Sequence, residues 1–566
     1  MSETALSPAT PVATAHRAPT WRTDLVAMTL FLGLGLGLIL RPYATGQTMP
    51  GDLGDARFNF AVLEFFYRTL VAVLHGHAAK FLNAPFFYPW PDVTNFGDTF
   101  WGDGETYALV RALGVGPLES FQAWVVAGFA LTYFSAFVSF RKLGLCTWGA
   151  AAGAFLFTFP LPMTTQIGHA QLVYRLWVPP AVVAVDRFST RASLCGGAAA
   201  FLFVALQLLA SIYLGLFLCL LLASCGTAHS LVGRSRVALP NVRTLQSSTR
   251  TELVAVGAML VAGAIVLATV VIPYRQVQLM YGVERSWDVV AGMVPRPGSY
   301  LLAGASRLWP NLSRFFPYPL VWEHQIFPGL AAIIPLAWFG ISKQARRRYP
   351  LAAVMMTTLA ILVTITLYVH GHSLYWFVYL IPGFNAIRAV TRIILVMMMP
   401  LAVLFGLLID DLVARKGDFV AGRFAVIILC GFLVTECALV APDSTTRAAW
   451  QVRSAALAAR LPKNLSEDTV LAVASPPLSP TTVEKWVYTQ IDAEVAAVML
   501  NIRTLNGYSG NAPPGWKTMT ACRDIGDNIL TGRHFLADHG LPVPAIAPEK
   551  IVAVGFGLCD PPDRAP

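Results

Sequence analysis

The stretch "LVAMTLFLGLGLGLIL" (residues 25–40), followed shortly by "GDLGDARFNF" (51–60), decides the class of fold. The first is an uncharged apolar run; the second sets Asp52, Asp55 and Arg57 among glycines. A run of about 16 to 22 apolar residues can cross a hydrocarbon core of about 30 Å as a helix, and such runs recur along most of the 566 residues. Hydrophobic residues make up 56% of the chain and charged ones 13%, against a charged share of about 25% in soluble proteins. The composition is that of an α-helical polytopic membrane protein.

Arg17 and Arg22 precede the first run, and no small-x-small cleavage pattern follows it, so it reads as an uncleaved first helix with a cytoplasmic N-terminus. Residues 1–22, rich in Ser, Thr, Ala and Pro, are expected to form a disordered cytoplasmic tail. Counting Lys and Arg loop by loop gives about 11 transmembrane helices within residues 23–441, with a large first outer loop at 42–120 and a second at 273–325. The third span is expected to reach Met163, the seventh to cover Leu253 to Ile272, and the apolar stretch Ser193 to Ser224 to split at "ASIYLG". "KQARRRYP" marks the clearest cytoplasmic turn. Residues 442–566 mix a helix-like "RAAWQVRSAALAARL" with strand-like "TVLAVAS" and "KIVAVGFG", and are expected to form a small C-terminal extracytoplasmic α/β domain. Cys522 and Cys559 in that tail are candidates for a disulfide in an oxidising compartment.

The net charge of +10 is spread among the spans rather than gathered in one patch, which argues against a nucleic-acid partner and for topology and membrane lipid headgroups. Arginine is nonetheless frequent in the expected outer loops. Residues 273–325 hold Arg275, Arg285, Arg296, Arg307 and Arg314, and other outer turns add Arg57, Arg175, Arg388 and Arg392. Guanidinium forks suit phosphate oxygens, so an anionic lipid phosphate is the natural partner.

The acids gather there too. Asp52 and Asp55 are followed by Asp98, Asp103 and Glu105 of "NFGDTFWGDGETY", of which Asp98 and Asp103 also suit turns beside glycine. Between them Phe60, Leu63, Tyr67, Leu70, Val71 and Leu74 recur at helical spacing, with Glu64 and Arg68 on another face, the pattern of an amphipathic helix along the membrane surface. A carboxylate in a cleft can deprotonate a hydroxyl once burial lifts its pKa, and arginines can receive a departing phosphate. These are the requirements for moving a sugar from a polyprenyl phosphate. Carboxylate and water ligands would suit Mg or Mn, although no dedicated metal spacing appears.

The stretches "GDLGDARFN", "QIGHAQ" followed by "VPPAVVAVDRF", "SIYLG", "WEHQIFPGLAAIIPLA", "PGFNAIRAVTRIILV" and "LNGYSGNAPPGW", taken in order, resemble the GT-C class of multispanning bacterial membrane glycosyltransferases. The resemblance implies a GT-C-like fold in the inner (plasma) membrane and a polyprenyl-phosphate sugar donor. It implies a glycan, lipid or protein acceptor in the cell envelope, and inverting catalysis on the extracytoplasmic face. By motif, Asp55 or Asp52 would be the base, and Arg57, Arg388 and Arg392 would hold the donor phosphate, the last two being four apart on one helical face. Asp98, Asp103, His169, Glu323 and His324 would lie in the substrate cleft, with Asn506, Tyr508 and Ser509 on the acceptor side. The chain departs from the class in "RAVTRI", where relatives commonly have a proline between the arginines, and at Asn511, where they have Phe. The competing readings are a transporter or flippase of a lipid-linked saccharide and a catalytically silent scaffold of the same fold.

Overall fold

A backbone surrounded by hydrocarbon has no water to bond, so each apolar run closes its own hydrogen bonds as a helix. The computed structural model describes residues 21–78, 81–235, 248–414 and 419–556. Nearly all of the expected tail 1–22 lies outside the described residues, as does Cys559 with its expected pairing to Cys522. The longer helices in chain order are α1 (Trp21–Leu34), α2 (Asp55–Leu74), α3 (Gly104–Ala112), α4 (Pro117–Lys142), α5 (Thr147–Thr158), α6 (Val178–Arg191), α7 (Leu194–Ala210), α8 (Ile212–Leu231), α9 (Arg250–Tyr281), α10 (Leu330–Ile341), α11 (Pro350–Thr366), α12 (Ile394–Val413) and α13 (Phe419–Ala438). Among the described residues, six stretches built on α1, α4, α8, α9, α12 and α13 are long and apolar enough to cross a membrane, and α7, α10 and α11 are apolar but shorter. The chain is an integral membrane protein.

Two helix ends differ from expectation. The third span stops at Thr158 instead of Met163, because Pro160 and Pro162 cannot donate to the helical ladder. The seventh does not stop at Ile272 but runs through Pro273 to Tyr281, where Val277 and Tyr281 are buried and the Tyr281 hydroxyl donates to the Pro91 carbonyl at 2.6 Å. The split at "ASIYLG" falls between α7 and α8, with the Ser211 side chain capping α8.

The central helix is α12, whose apolar window is buried throughout. It packs against α5, α10, α11 and α13. A Cβ on Gly149 of α5 would lie 2.5 Å from the Gly406 carbonyl, and one on Gly153 would lie 2.7 Å from that of Ala402. Small residues four apart let these two backbones approach closely. By contrast only 11% of the α9 window is buried, leaving an apolar surface fit for lipid.

The expected surface helix is α2, and the structure corrects that expectation. Ala56 to Glu64 are all buried in protein. Glu64 accepts from the Tyr107 hydroxyl at 2.7 Å, from Arg111 at 2.9 Å and from Arg68 at 2.9 Å. Its polar face is therefore tied to α3 instead of facing water.

The C-terminal region is stitched into the first loop. Strand β1 (Thr48–Pro50) pairs antiparallel with β2 (Ser444–Thr446). After α14 (Arg447–Ala458), strands β3 (Val470–Val473), β4 (Arg503–Thr504) and β5 (Ile551–Val554) form a parallel sheet of order β4-β3-β5. Parallel neighbours need long crossovers, and α15 (Val483–Leu500) and α16 (Arg523–Asp538) lie within them. Leu471, Ala493, Ala497 and Val554 make a small core of their own, while Trp450, Ile491 and Val495 join the main one. The α15 helix packs on α2, and Asp492 holds Arg57 at 2.6 Å and Arg453 at 2.6 Å.

Candidate active site

Asp55 is the first residue of α2, where a carboxylate faces the positive end of the helix dipole. It opens onto a cavity of about 610 Å³ whose wall also includes His169, Arg388, Arg392 and Tyr508. The Tyr508 hydroxyl donates to Asp55 Oδ1 at 2.8 Å. On the other oxygen, His169 Nδ1 faces Asp55 Oδ2 at 3.5 Å. Arg392 Nη2 donates to His169 Nε2 at 2.6 Å, and also to Glu323 Oε1 at 2.9 Å. Since Nε2 accepts, the imidazole proton belongs on Nδ1, toward Asp55. Burial and then Arg392 lower the His169 pKa, which keeps the ring neutral. Burial alone would raise the Glu323 carboxyl, but Arg392 overrides it and holds it at about 2. The result is a continuous row: Glu323, Arg392, His169, Asp55, Tyr508.

Arg388 and Arg392 both line the cavity, yet they do not share an α-helical face. Ala389 is non-helical, residues Val390–Ile393 form a 3-10 turn, and α12 starts only at Ile394. Arg392 is buried against Glu323 and stacks over the Tyr213 ring at 5.1 Å. Arg388 is exposed and has no carboxylate partner among the described residues; the same holds for Arg275 and Arg285 on the cavity wall. Three of the other outer arginines are used internally, while Arg307 and Arg314 are exposed. Arg175 lies over the Phe157 ring, Arg296 over Tyr318 and Tyr368, and Arg57 is 1% exposed and paired with Asp492 instead of facing a phosphate.

Several other expected cleft residues have structural duties. Asp98 reaches the cavity, but its carboxylate accepts from Ser211 Oγ and the Ile212 amide, both at 2.6 Å, which anchors the start of α8. Asp103 is buried away from the cavity wall with neither oxygen bonded, and burial followed by the charge of Asp98 pushes its pKa well up, so it stays protonated. His324 is enclosed by Arg296, Ser299 and the Gly292 carbonyl. Asn506 bonds the Val473 amide at 2.8 Å and carbonyl at 3.0 Å, extending the sheet beyond β4. Glu323 stands behind Arg392 and not on the wall itself. Composition flagged Arg275 and Arg285 only as part of an excess; Ser509, expected on the acceptor side, is on the wall, and Tyr213 of "SIYLG" and Asn95 join it without having been singled out by any sequence signal. Among the described residues no group of three His, Cys, Asp or Glu side chains is arranged to hold a metal.

Asp52 lies off the cavity wall, its Oδ1 accepting from the Ala56 amide at 3.0 Å. Burial, then the charge of Asp55, push its carboxyl up to about 6. A carboxyl whose pKa the fold raises costs stability as pH rises. Between about pH 4 and pH 6 the unfolded chain releases a proton that the folded chain retains, and above pH 6 the full cost of about 3 kcal/mol is present. Asp52→Asn keeps an acceptor for Ala56 and removes the charge. It is expected to raise the unfolding temperature in detergent at pH 8 and to leave it unchanged at pH 4; equal shifts at both values would count against this account.

No family model matches the chain, and no curated protein matches it in sequence. In fold it is similar to the crystal structure of ArnT from Cupriavidus metallidurans bound to undecaprenyl phosphate, with TM-score 0.40 and 11% identity over 86% of this chain and 88% of that one. The apo state of the same ArnT gives TM-score 0.40 and 13% identity, covering 86% and 90%. The chain is also similar to the arabinofuranosyltransferase AftD from Mycobacteria, with TM-score 0.38 and 14% identity, over 91% of this chain and 34% of that much longer one.

Proposed function

We propose that the protein is a GT-C-like inverting glycosyltransferase that moves a sugar from a polyprenyl-phosphate donor to a glycan, lipid or protein acceptor of the cell envelope. In this reading the cavity faces the extracytoplasmic side, the N-terminus is cytoplasmic, and the membrane is the bacterial inner membrane. The observation that carries it is the pairing, in one cavity beside the apolar α9, of the Asp55 carboxylate with Arg388, Arg275 and Arg285, which have no carboxylate partner among the described residues. Asp55 is preferred to Asp52 as base because it stands on the wall while Asp52 is spent on the Ala56 amide.

The chemistry then follows from position. The acceptor hydroxyl oxygen bonds to the anomeric carbon as the bond from that carbon to the phosphate oxygen breaks, inverting the centre. The hydroxyl proton passes to Asp55, whose Tyr508 and His169 contacts hold the carboxylate in place. The polyprenyl phosphate leaves with the electron pair, and Arg388 and Arg285 receive its growing charge. No step here is routed through a metal.

The test compares membranes with and without the protein, supplied with polyprenyl phosphates carrying radiolabelled sugars. Protein-dependent appearance of label in envelope material, with loss of the matching glycan in a deletion strain, is the expected result. Movement of labelled lipid across reconstituted vesicles with no change in any glycan would overturn it in favour of a flippase.

A further inference from the structure

Two parts of the cavity wall that are far apart in sequence touch one another at its polar end. The Asn511 amide donates to the Phe96 carbonyl at 3.2 Å, and Arg285 donates to that of Gly510. Gly97 approaches so closely that a Cβ there would sit 3.2 Å from Ser509 Oγ. Asn95 Nδ2 and Ser509 Oγ belong to this same wall; both atoms are buried, and neither has a protein partner. Asn95 as a whole is 5% exposed. Buried amide and hydroxyl groups are nearly always bonded, because leaving them unpaired is costly. Two such groups at one end of a cavity point to a ligand that bonds them on entry.

Charge narrows the ligand. Asp98, the carboxylate at this end, is saturated by Ser211 and the amides of Ile212 and Thr99. Asp55 is engaged by Tyr508 and His169. Apart from Asp55, which takes the acceptor proton, the described residues of the wall thus offer no free carboxylate for an ammonium group, whereas an amide N–H and a hydroxyl match sugar hydroxyls as donors and acceptors. We propose that Asn95 and Ser509 form the hydroxyl-reading subsite for an uncharged sugar ring, one residue along the chain from the Tyr508 that holds Asp55. The assignment rests on reading this cavity as a glycosyl-transfer site, and the ring belongs either to the donor or to an acceptor glycan.

Purified protein in nanodiscs tests it with farnesyl phosphate, with farnesyl phosphate linked to glucose, mannose, galactose, arabinose or glucosamine, and with methyl glycosides of these sugars added beside farnesyl phosphate. At least one neutral sugar is expected to tighten binding about tenfold over farnesyl phosphate alone, and glucosamine is expected to bind no better than glucose. Asn95→Ala and Ser509→Ala should each erase most of that gain, while the unfolding temperature and the affinity for farnesyl phosphate stay unchanged. Loss confined to the linked compounds assigns the subsite to the donor sugar, and loss confined to the methyl glycosides assigns it to the acceptor. A gain that survives both variants, or tighter binding of glucosamine than of glucose, overturns the subsite. Failure of the wild type to bind farnesyl phosphate at all would instead refute the polyprenyl-phosphate reading on which the subsite depends.

Discussion

Replacing Asp55 by Asn is expected to slow sugar transfer by about a thousandfold while the protein stays folded. The substitution keeps the volume and the acceptor for the Tyr508 hydroxyl at 2.8 Å, but it removes the group that takes the acceptor proton. It also removes the charge opposite His169. A structural role would predict the reverse pattern, with lowered stability and a modest loss of rate. The decisive measurement is single-turnover transfer in membranes across pH 5 to 9, together with unfolding temperatures. A variant that keeps the wild-type rate would remove Asp55 from the mechanism, and the same experiment on Asp52→Asn shows whether its neighbour has taken the role.

The largest stability effect is expected at Asp492. Arg57 is almost fully enclosed, and the 2.6 Å pair with Asp492 is its ionic partner; Arg453 also bonds the same carboxylate. Burial lowers the Arg57 pKa and Asp492 opposes that shift only in part, but a guanidinium keeps its charge in a protein, so the pair is what compensates a charge that remains buried. Asp492→Ala strands that charge, at a cost of about 4 kcal/mol. Arg57→Met combined with Asp492→Leu should recover most of the loss, since removing both ions also removes their desolvation penalty. Chemical unfolding monitored by tryptophan fluorescence, with limited proteolysis of the C-terminal region, measures both variants. Transfer should fall along with stability in Asp492→Ala, because Arg57 lies two residues from Asp55 on the same helix turn. If the single and double variants proved equally unstable, the pair would not be the fastening described.

What could be read from the sequence was set by local signals. Glycines beside Asp55 at the end of an apolar run drew attention to that carboxylate, and an arginine excess on the expected outer side drew attention to Arg388 and Arg392. The structure places these three on one cavity, with His169 and Tyr508. Arg57 carries the same local signal as Asp55, but its partner lies more than four hundred residues away, and no nearby residue betrays it. Asn506 shares its motif with Tyr508, yet its amide completes a sheet whose other strands come from distant segments. Arg388 and Arg392 have helical spacing, but the helix begins after both, which a spacing argument cannot detect. Apolar runs likewise located the helices, whereas Pro160 ended one of them early and another ran on through Pro273 to Tyr281.

The bond between Tyr508 and Asp55 also bears on how the protein is made. These residues are 453 positions apart, and Thr48–Pro50 waits almost as long for Ser444–Thr446. A nascent chain that has inserted every apolar helix still lacks the part of the cavity wall that Tyr508 and Ser509 supply, with Asp55 lacking its phenol. Such long-range closures are slow to form. Assembly of the membrane region and completion of the cavity are therefore separate events, and the second depends on the segment carrying Tyr508 reaching the same side as the first loop.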